Sequence, residues 1–323
     1  MKRIKLIMVI SAVLSVLTGI SGCTKKNTTS QEKKLSVVTA LFPQFDWTRS
    51  LIEGSENVKL ELLVKNGTDL HSFQPSTEDI VKINNADLFI FTGGESDEWV
   101  YKVLENSKND NQIVINLMSV LGENVKKEEL IEGMQAEAEE ESEEEFDEHV
   151  WLGVQNAKIA VEKIAEALEI LDLANSNLYV KNLIEYHKKL DLLAETENRI
   201  SEKAKNSPAV LIFCDRFPFR YLIDELELDY YAAFSGCSAE TEASFETVAF
   251  LAEKTGEIKP TDIFVTESSD LKLAQTVINE SKLKVNITRL NSMQNVTLKQ
   301  ANSGMNYIDI MKDNLSKIDS VIQ

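Results

Sequence analysis

Histidine occurs three times in this 323-residue chain, as His71, His149 and His187, and cysteine three times, as Cys23, Cys214 and Cys237. Side chains able to hold a transition metal with nitrogen or sulfur are therefore few. His149 closes the stretch Glu143-Glu-Glu-Phe-Asp-Glu-His149-Val-Trp-Leu152, which ends a run in which nine of the twelve residues from Glu137 to Glu148 are acidic. Carboxylates alone gather divalent cations loosely, whereas a neutral imidazole set between carboxylates and an apolar wall holds a transition metal with defined geometry. The competing reading is a solvated acidic loop followed by a core-facing histidine. His71 lies in Asp69-Leu-His-Ser-Phe-Gln-Pro75, where it could ligate a metal or serve as a turn residue capping the helix that begins near Pro75 and Ser76. His187 stands among Glu185, Lys188 and Lys189, a surface setting.

Two neutral imidazoles and one carboxylate leave one uncompensated positive charge on a divalent ion, and a second carboxylate removes it. Burying uncompensated charge is costly, so at least one acid is expected beside the histidines. Two histidines with a carboxylate suit Zn²⁺, or Mn²⁺ where more oxygens are recruited; a thiolate favours zinc.

The elements that must position these groups follow from hydrophobic periodicity. Strand patterns at Leu35–Leu41, Val58–Val64, Asp87–Thr92 and Gln112–Leu117 alternate with helical patterns at Asp46–Glu53, Thr77–Asn84 and Trp99–Asn106. Such alternation predicts a parallel α/β sheet. Strand signals are absent from Asn156 to Asn206. From about Asn175, Tyr179, Leu183, Tyr186, Leu190 and Leu193 recur at three- and four-residue steps, predicting one helix of about 45 Å that ends at Pro208. The alternation then resumes, with strands at Ala209–Phe213, Asp229–Phe234, Asp262–Thr266 and Val285–Leu290 and helices at Phe245–Thr255 and Leu271–Ser281. Ser303–Ile322 reads as an amphipathic closing helix.

Ligands of open α/β sheets bind beyond the carboxyl ends of the strands. That rule selects His71 after the second strand, His149 after the fourth and its acidic loop, Cys214 and Asp215 after the fifth, Cys237 after the sixth and Glu267 at the end of the seventh. Two lobes facing each other could converge two nitrogen donors and two oxygen or sulfur donors on one ion. Asp215 could equally pair with Arg216 or Arg220, and Glu267 could cap the next helix. Cys214 and Cys237 could form a disulfide, which needs a proximity that sequence does not give.

The N-terminus reads as an export signal: Met-Lys-Arg-Ile-Lys, an apolar run from Leu6 to Ile20, then Ser21-Gly22-Cys23. The apolar run is short for a membrane span. Residues 24–34 are polar and aperiodic, as a flexible tether would be. The formal charge is −19, and it becomes more negative once the basic residues Lys2, Arg3 and Lys5 are removed. A chain this acidic is not expected to bind nucleic acid or anionic lipid through charge.

Taken together, Asp69-Leu-His71-Ser-Phe-Gln-Pro75-Ser resembles the G-x-x-P/D-H-x-[FY]-x-P-[ST] segment of the zinc- and manganese-binding receptors of ABC importers, the ZnuA/TroA-like cluster A-I family. Asp147-Glu-His149-Val-Trp-Leu is similar to their D-P-H-V-W-L-D segment, and Ser21-Gly22-Cys23 resembles a lipobox. Ala86-Asp-Leu-Phe-Ile-Phe-Thr-Gly93 through Trp99, the long helix and Tyr307-Ile-Asp-Ile-Met-Lys-Asp-Asn314 add to a likeness over nearly all of the mature chain. The resemblance implies two four-stranded parallel α/β lobes joined by a rigid backbone helix, with a metal in the cleft between them. It implies an extracytoplasmic receptor, not an enzyme, lipidated at Cys23 and held on the outer face of the cell membrane. Such a receptor would bind Zn²⁺, or alternatively Mn²⁺, as a monomer and pass it to an ABC-type permease.

The expected layout is a signal peptide at 1–22, a tether at 23–34, an N-terminal lobe at 35–155 with an acidic loop at 135–148, a helical linker at 156–207 and a C-terminal lobe at 208–323. His71 and His149 match two of the family's ligands. The family's third ligand, usually His or Glu, falls in Phe213-Cys-Asp-Arg-Phe-Pro-Phe-Arg-Tyr221, where Asp215 is the first choice and Cys214 the second. The last acidic ligand is replaced by Leu290-Asn-Ser-Met293-Gln, leaving Glu267 as the nearest carboxylate. Ser235-Gly-Cys237-Ser-Ala-Glu240-Thr-Glu242 matches the family's small-residue turn, and Cys237 could itself ligate. The family's histidine-rich loop is glutamate-rich here, so metal gathering by it would be less zinc-selective. Two readings of other classes stay open. A metal-dependent surface hydrolase would keep an open coordination position and a general base, and an adhesin with a structural metal would lose a folded lobe on chelation.

Overall fold

In the parallel strand β1 (Leu35–Thr39), Val37 and Val38 point to opposite faces and both are fully buried, which happens only where a sheet is covered on both sides. The computed structural model describes residues 34–68, 70–107, 109–135, 145–207, 209–238 and 242–322. The expected signal peptide, Cys23, residues 23–33 of the tether, Asp69, Pro208, Glu240 and residues 136–144 of the acidic loop lie outside the described residues. Within 34–322, β1 pairs in parallel with β2 (Val58–Leu62) and β3 (Leu88–Phe91), and β4 (Ile113–Asn116) pairs in parallel with β3, giving the order β2-β1-β3-β4. The second sheet repeats this plan as β6-β5-β7-β8, from β5 (Val210–Phe217), β6 (Asp229–Ser235), β7 (Asp262–Thr266) and β8 (Asn286–Leu290).

One helix limit and one strand limit differ from the sequence pattern in ways that matter. Helix α1 (Phe42–Leu51) starts earlier than the periodicity suggests because Pro43 sits in its first turn, where a missing N–H costs nothing. Strand β5 does not stop at Phe213. Its pairing with β6 shifts register between Phe213 and Arg216 and then continues to Phe217, so Cys214 and Asp215 sit in a bulge inside the sheet.

Between the sheets run α2 (Val154–Leu171) and α3 (Ser176–Asn206), the latter 31 residues without a break and about 46 Å long. Its buried residues Tyr179, Tyr186, Leu190, Leu193, Ile200 and Ala204 form one stripe. Near its start Asn182 donates to the carbonyls of Leu51 and Glu53 beside the first sheet; near its end Arg199 and Lys203 pair with Asp319 of the closing helix α4 (Tyr307–Val321). One apolar cluster joins both halves, from Val37 and Phe89 through Tyr186 and Leu190 to Phe213, Phe264 and Leu290. A smaller cluster, with Ile212, Cys214, Val265 and Val277, fills the far side of the second sheet. Among the described residues no helix is long and apolar enough to cross a membrane.

A buried acid pair ties the helical layer to the second half. Glu225 accepts the backbone N–H of Val154 at 2.8 Å and of Gln155 at 3.2 Å, and Glu197 of α3 shares its carboxyl with Glu225. Burial, reinforced by Glu225, pushes the Glu197 carboxyl far above its ordinary range. The folded state then holds a proton that the unfolded chain releases above the ordinary carboxyl pKa, so stability falls as pH rises through this window. Urea unfolding of the protein is expected to show a lower midpoint at pH 8 than at pH 5, with Glu197→Gln flattening that difference. A pH dependence unchanged in the variant would remove the assignment.

Candidate metal centre

Three side chains from the carboxyl ends of both sheets converge. His71, His149 and Cys237 each present one ligand atom, and these atoms lie within 4.8 Å of one another, the only such group of three or more among the described residues.

His71 lies on a single helical turn, Leu70–Ser72, that follows β2 and is pinned by buried Leu70. Its Nδ1 is 2.8 Å from Ser96 Oγ. Ser96 belongs to the tight loop after β3, in which Gly93 (φ +92°) and Gly94 (φ +84°) take backbone angles that side chains rarely allow. A Cβ on Gly94 would come within 2.4 Å of Glu148 Oε1. Asp97 closes that loop by accepting the N–H groups of Thr92 and Gly93, both at 3.0 Å, and burial lifts its carboxyl to about 7. Glu148 is buried too: its Oε1 accepts the Ser96 N–H at 2.8 Å, its Oε2 lies 3.9 Å from His71 Nδ1, and burial raises its pKa.

His149 is fully buried. One oxygen of Asp147 accepts both its backbone N–H and its Nδ1–H, each at 2.8 Å. A ring nitrogen facing a carboxylate carries the proton, so this contact leaves the lone pair on Nε2, the form a metal requires. Burial opposes the imidazolium, but the charge of Asp147, with Glu128 and Glu148 behind it, lifts the His149 pKa above its ordinary value. The ring packs edge-on to Trp151 at 5.4 Å and lies 5.6 Å from the His71 ring.

Cys237 follows β6. Its N–H donates to Glu128 Oε1 at 3.0 Å, and burial together with Glu128, Asp147 and Glu148 pushes its thiol pKa well up. The neighbouring Gly236 permits the approach, because a Cβ there would stand 3.0 Å from His149 Cε1 and Nδ1 and from the Phe217 carbonyl. Residues flanking the acidic loop form a strap across the junction. Lys127 bridges to Phe146, Gln135 N–H donates to the Ala233 carbonyl at 2.9 Å, Glu129 pairs with Arg220 at 2.7 Å, and Tyr221 OH donates to the Asp147 carbonyl at 2.8 Å.

The other expected donors lie elsewhere. Asp215, carried inside the bulge of β5, accepts the Thr266 Oγ1–H at 2.8 Å and the Thr266 N–H at 3.2 Å, bracing β5 to β7. Cys214 is sealed in the smaller core, where burial raises its thiol. Glu267 follows β7 as expected, but its two oxygens hold Ser292 N–H and Oγ–H, both at 2.8 Å. Cys214 and Cys237 are both free thiols. His187 lies 3.5 Å from Glu162 on the helical layer, away from the cluster.

The sequence reading passed over Glu148, hidden in a run that looks solvated, although its adjacency to His149 was a usable signal. It also passed over Glu128 and Ser96, which no local pattern marks, and noted Gln294 only as the end of the segment that stands in place of the family's last acidic ligand; its amide lies against His149 Nε2.

Two matched parallel sheets on one long helix, with imidazoles from the first and a thiol from the second meeting between them, define a two-lobed α/β protein with a metal-ligand cluster at the junction. The profile of the family "Zinc-uptake complex component A periplasmic" (ZnuA) matches residues 37–321, and the chain belongs to that family. The zinc-binding lipoprotein AdcA of Streptococcus pneumoniae is 29% identical over 317 residues, which are 96% of this chain and 60% of AdcA. The chain therefore spans less than two thirds of that relative. The high-affinity zinc uptake system protein ZnuA of Bacillus subtilis is 27% identical over 324 residues, 98% of this chain and 97% of its own. The crystal structure of the Zn(II)-bound ZnuA-like domain of Streptococcus pneumoniae AdcA superposes with a TM-score of 0.68 at 26% identity, covering 90% of this chain and 99% of that one.

Proposed function

We propose that this chain is an extracytoplasmic receptor that binds one Zn²⁺ between its lobes and delivers it to an ABC-type permease, held at the membrane by lipid on Cys23. The observation that carries the reading is the convergence of His71, His149 and Cys237 from two sheets on one enclosed point. Two imidazoles and a thiolate form a donor set that suits zinc and disfavours Mn²⁺, which prefers oxygen. The lobes correspond to residues 35–155 and 208–323, with 156–207 as the linker. The family is one of substrate-binding proteins, and burial of His149 supports capture over turnover, since a hydrolytic zinc needs an open position for water.

Calorimetric titration of the metal-stripped mature chain tests this. One tight Zn²⁺ site is expected, with Mn²⁺ much weaker, and Cys237→Ser should narrow the gap between the two metals. Weak multi-site binding that Cys237→Ser leaves unchanged would place all binding in the acidic loop and end the receptor reading.

A further inference from the structure

Glu148 closes the acidic run, yet it is buried, and both its side chain and its backbone meet the metal-ligand cluster. Its Oε1 accepts the Ser96 N–H at 2.8 Å, and the Ser96 hydroxyl and the Glu95 N–H donate to the same carboxyl. A carboxylate only accepts. The Ser96 O–H is therefore spent on Glu148, and the Ser96 oxygen is left to accept from His71 Nδ1, 2.8 Å away. That order of donors puts the proton on Nδ1 and the lone pair on Nε2. On the backbone side, the N–H of Glu148 donates to the Cys237 sulfur. The family's D-P-H-V-W-L-D segment carries proline at this position, and proline has no N–H to give.

We propose that Glu148 is a positioning residue with two ends: its carboxylate, through Ser96, holds His71 with the Nε2 lone pair presented to the metal, and its backbone N–H aims the Cys237 sulfur at the same point. This deepens the receptor reading above and rests on it. The two donors arise from different sheets, His71 after β2 and Cys237 after β6, so one residue next to His149 sets their geometry across the junction. Glu148 also caps the turn Glu95–Asp97. Capping accounts for the side chain but not for an N–H that meets sulfur. A hydrogen bond to a metal-bound thiolate draws charge from the sulfur and lowers its filled orbitals, which leaves a spectroscopic mark that packing alone would not.

The test uses the full mature chain loaded with Co²⁺ or Zn²⁺, with circular dichroism as the control for folding. A thiolate-to-cobalt charge-transfer band in the wild type reports Cys237 as a ligand; its absence sinks the receptor reading and this proposal with it. With the band present, Glu148→Gln keeps the shape and the backbone N–H, but its amide N–H₂ donates towards Ser96 and reverses the order of donors. Zn²⁺ should then bind about 10- to 100-fold more weakly, with the band unmoved. Glu148→Ala and Glu148→Pro both lack the carboxylate and differ in the N–H. The band should keep its wild-type energy in Glu148→Ala and move to lower energy in Glu148→Pro. Wild-type zinc affinity in Glu148→Gln, or coincident bands in Glu148→Ala and Glu148→Pro, overturns the proposal while leaving the three-residue site standing.

Discussion

His149→Ala is expected to lower zinc affinity by more than about 100-fold while the chain stays folded. Removing a group that merely orients a ligand costs about 10- to 100-fold, so removal of a ligand should exceed that range. His149 is the central donor of the three: fully buried, aimed by Asp147 and adjacent to Cys237 through Gly236. Alanine also strips Asp147 of its Nδ1 partner, although the backbone N–H of residue 149 still donates to it. Asp147→Asn gives the comparison, keeping the imidazole but weakening its aim, and should fall within the smaller range. Competition against a chelator of known affinity, with circular dichroism as the control for folding, measures both. Wild-type zinc affinity in His149→Ala would show that the ion sits elsewhere.

Trp151→Ala should destabilise the protein by about 3–5 kcal/mol, the usual cost of truncating a buried aromatic. The indole is almost wholly buried, packs edge-on to His149, and donates Nε1–H to the Ser292 carbonyl; its own carbonyl accepts Tyr307 OH at 2.7 Å. One residue thus touches the metal cluster, the loop after β8 and α4. Alanine would leave both a cavity and a carbonyl without its donor. Trp151→Phe retains most of the volume and loses the N–H, so a smaller cost of about 1–3 kcal/mol is expected. Urea unfolding of the metal-free chain separates the two, and near-equal effects would mean that the hydrogen bond, not the packing, dominates.

Much of the architecture was legible because buried parallel strands read as apolar runs and α3 carries its stripe without Gly or Pro. The long helix from about residue 175 and all eight strands lie where periodicity puts them, to within a few residues. His71, His149 and Cys237 were legible as candidates by their position after strands. Asp215 and Cys214 were placed at the mouth of the cleft because the pattern of β5 weakens after Phe213. A bulge has no periodicity of its own, so the continuation to Phe217 could not be read. Glu267 was located correctly along the chain, but which way a carboxylate turns depends on Ser292, 25 residues later. Gln294 ends the segment that stands in place of the family's last acidic ligand, but it carries no charge, and only the folded loop shows what it faces.

The apolar cluster that passes unbroken from β1 through α3 to β8 also bears on the lifetime of the folded chain. The second half has a smaller cluster of its own, but the main core is shared, so neither half can open far without exposing it, and unfolding is expected to be cooperative across the junction. A ligand seated at that junction then protects the whole molecule by mass action, in proportion to its free concentration. Protease resistance of the entire chain would thereby track the supply of cargo, and chains left empty would be the first removed.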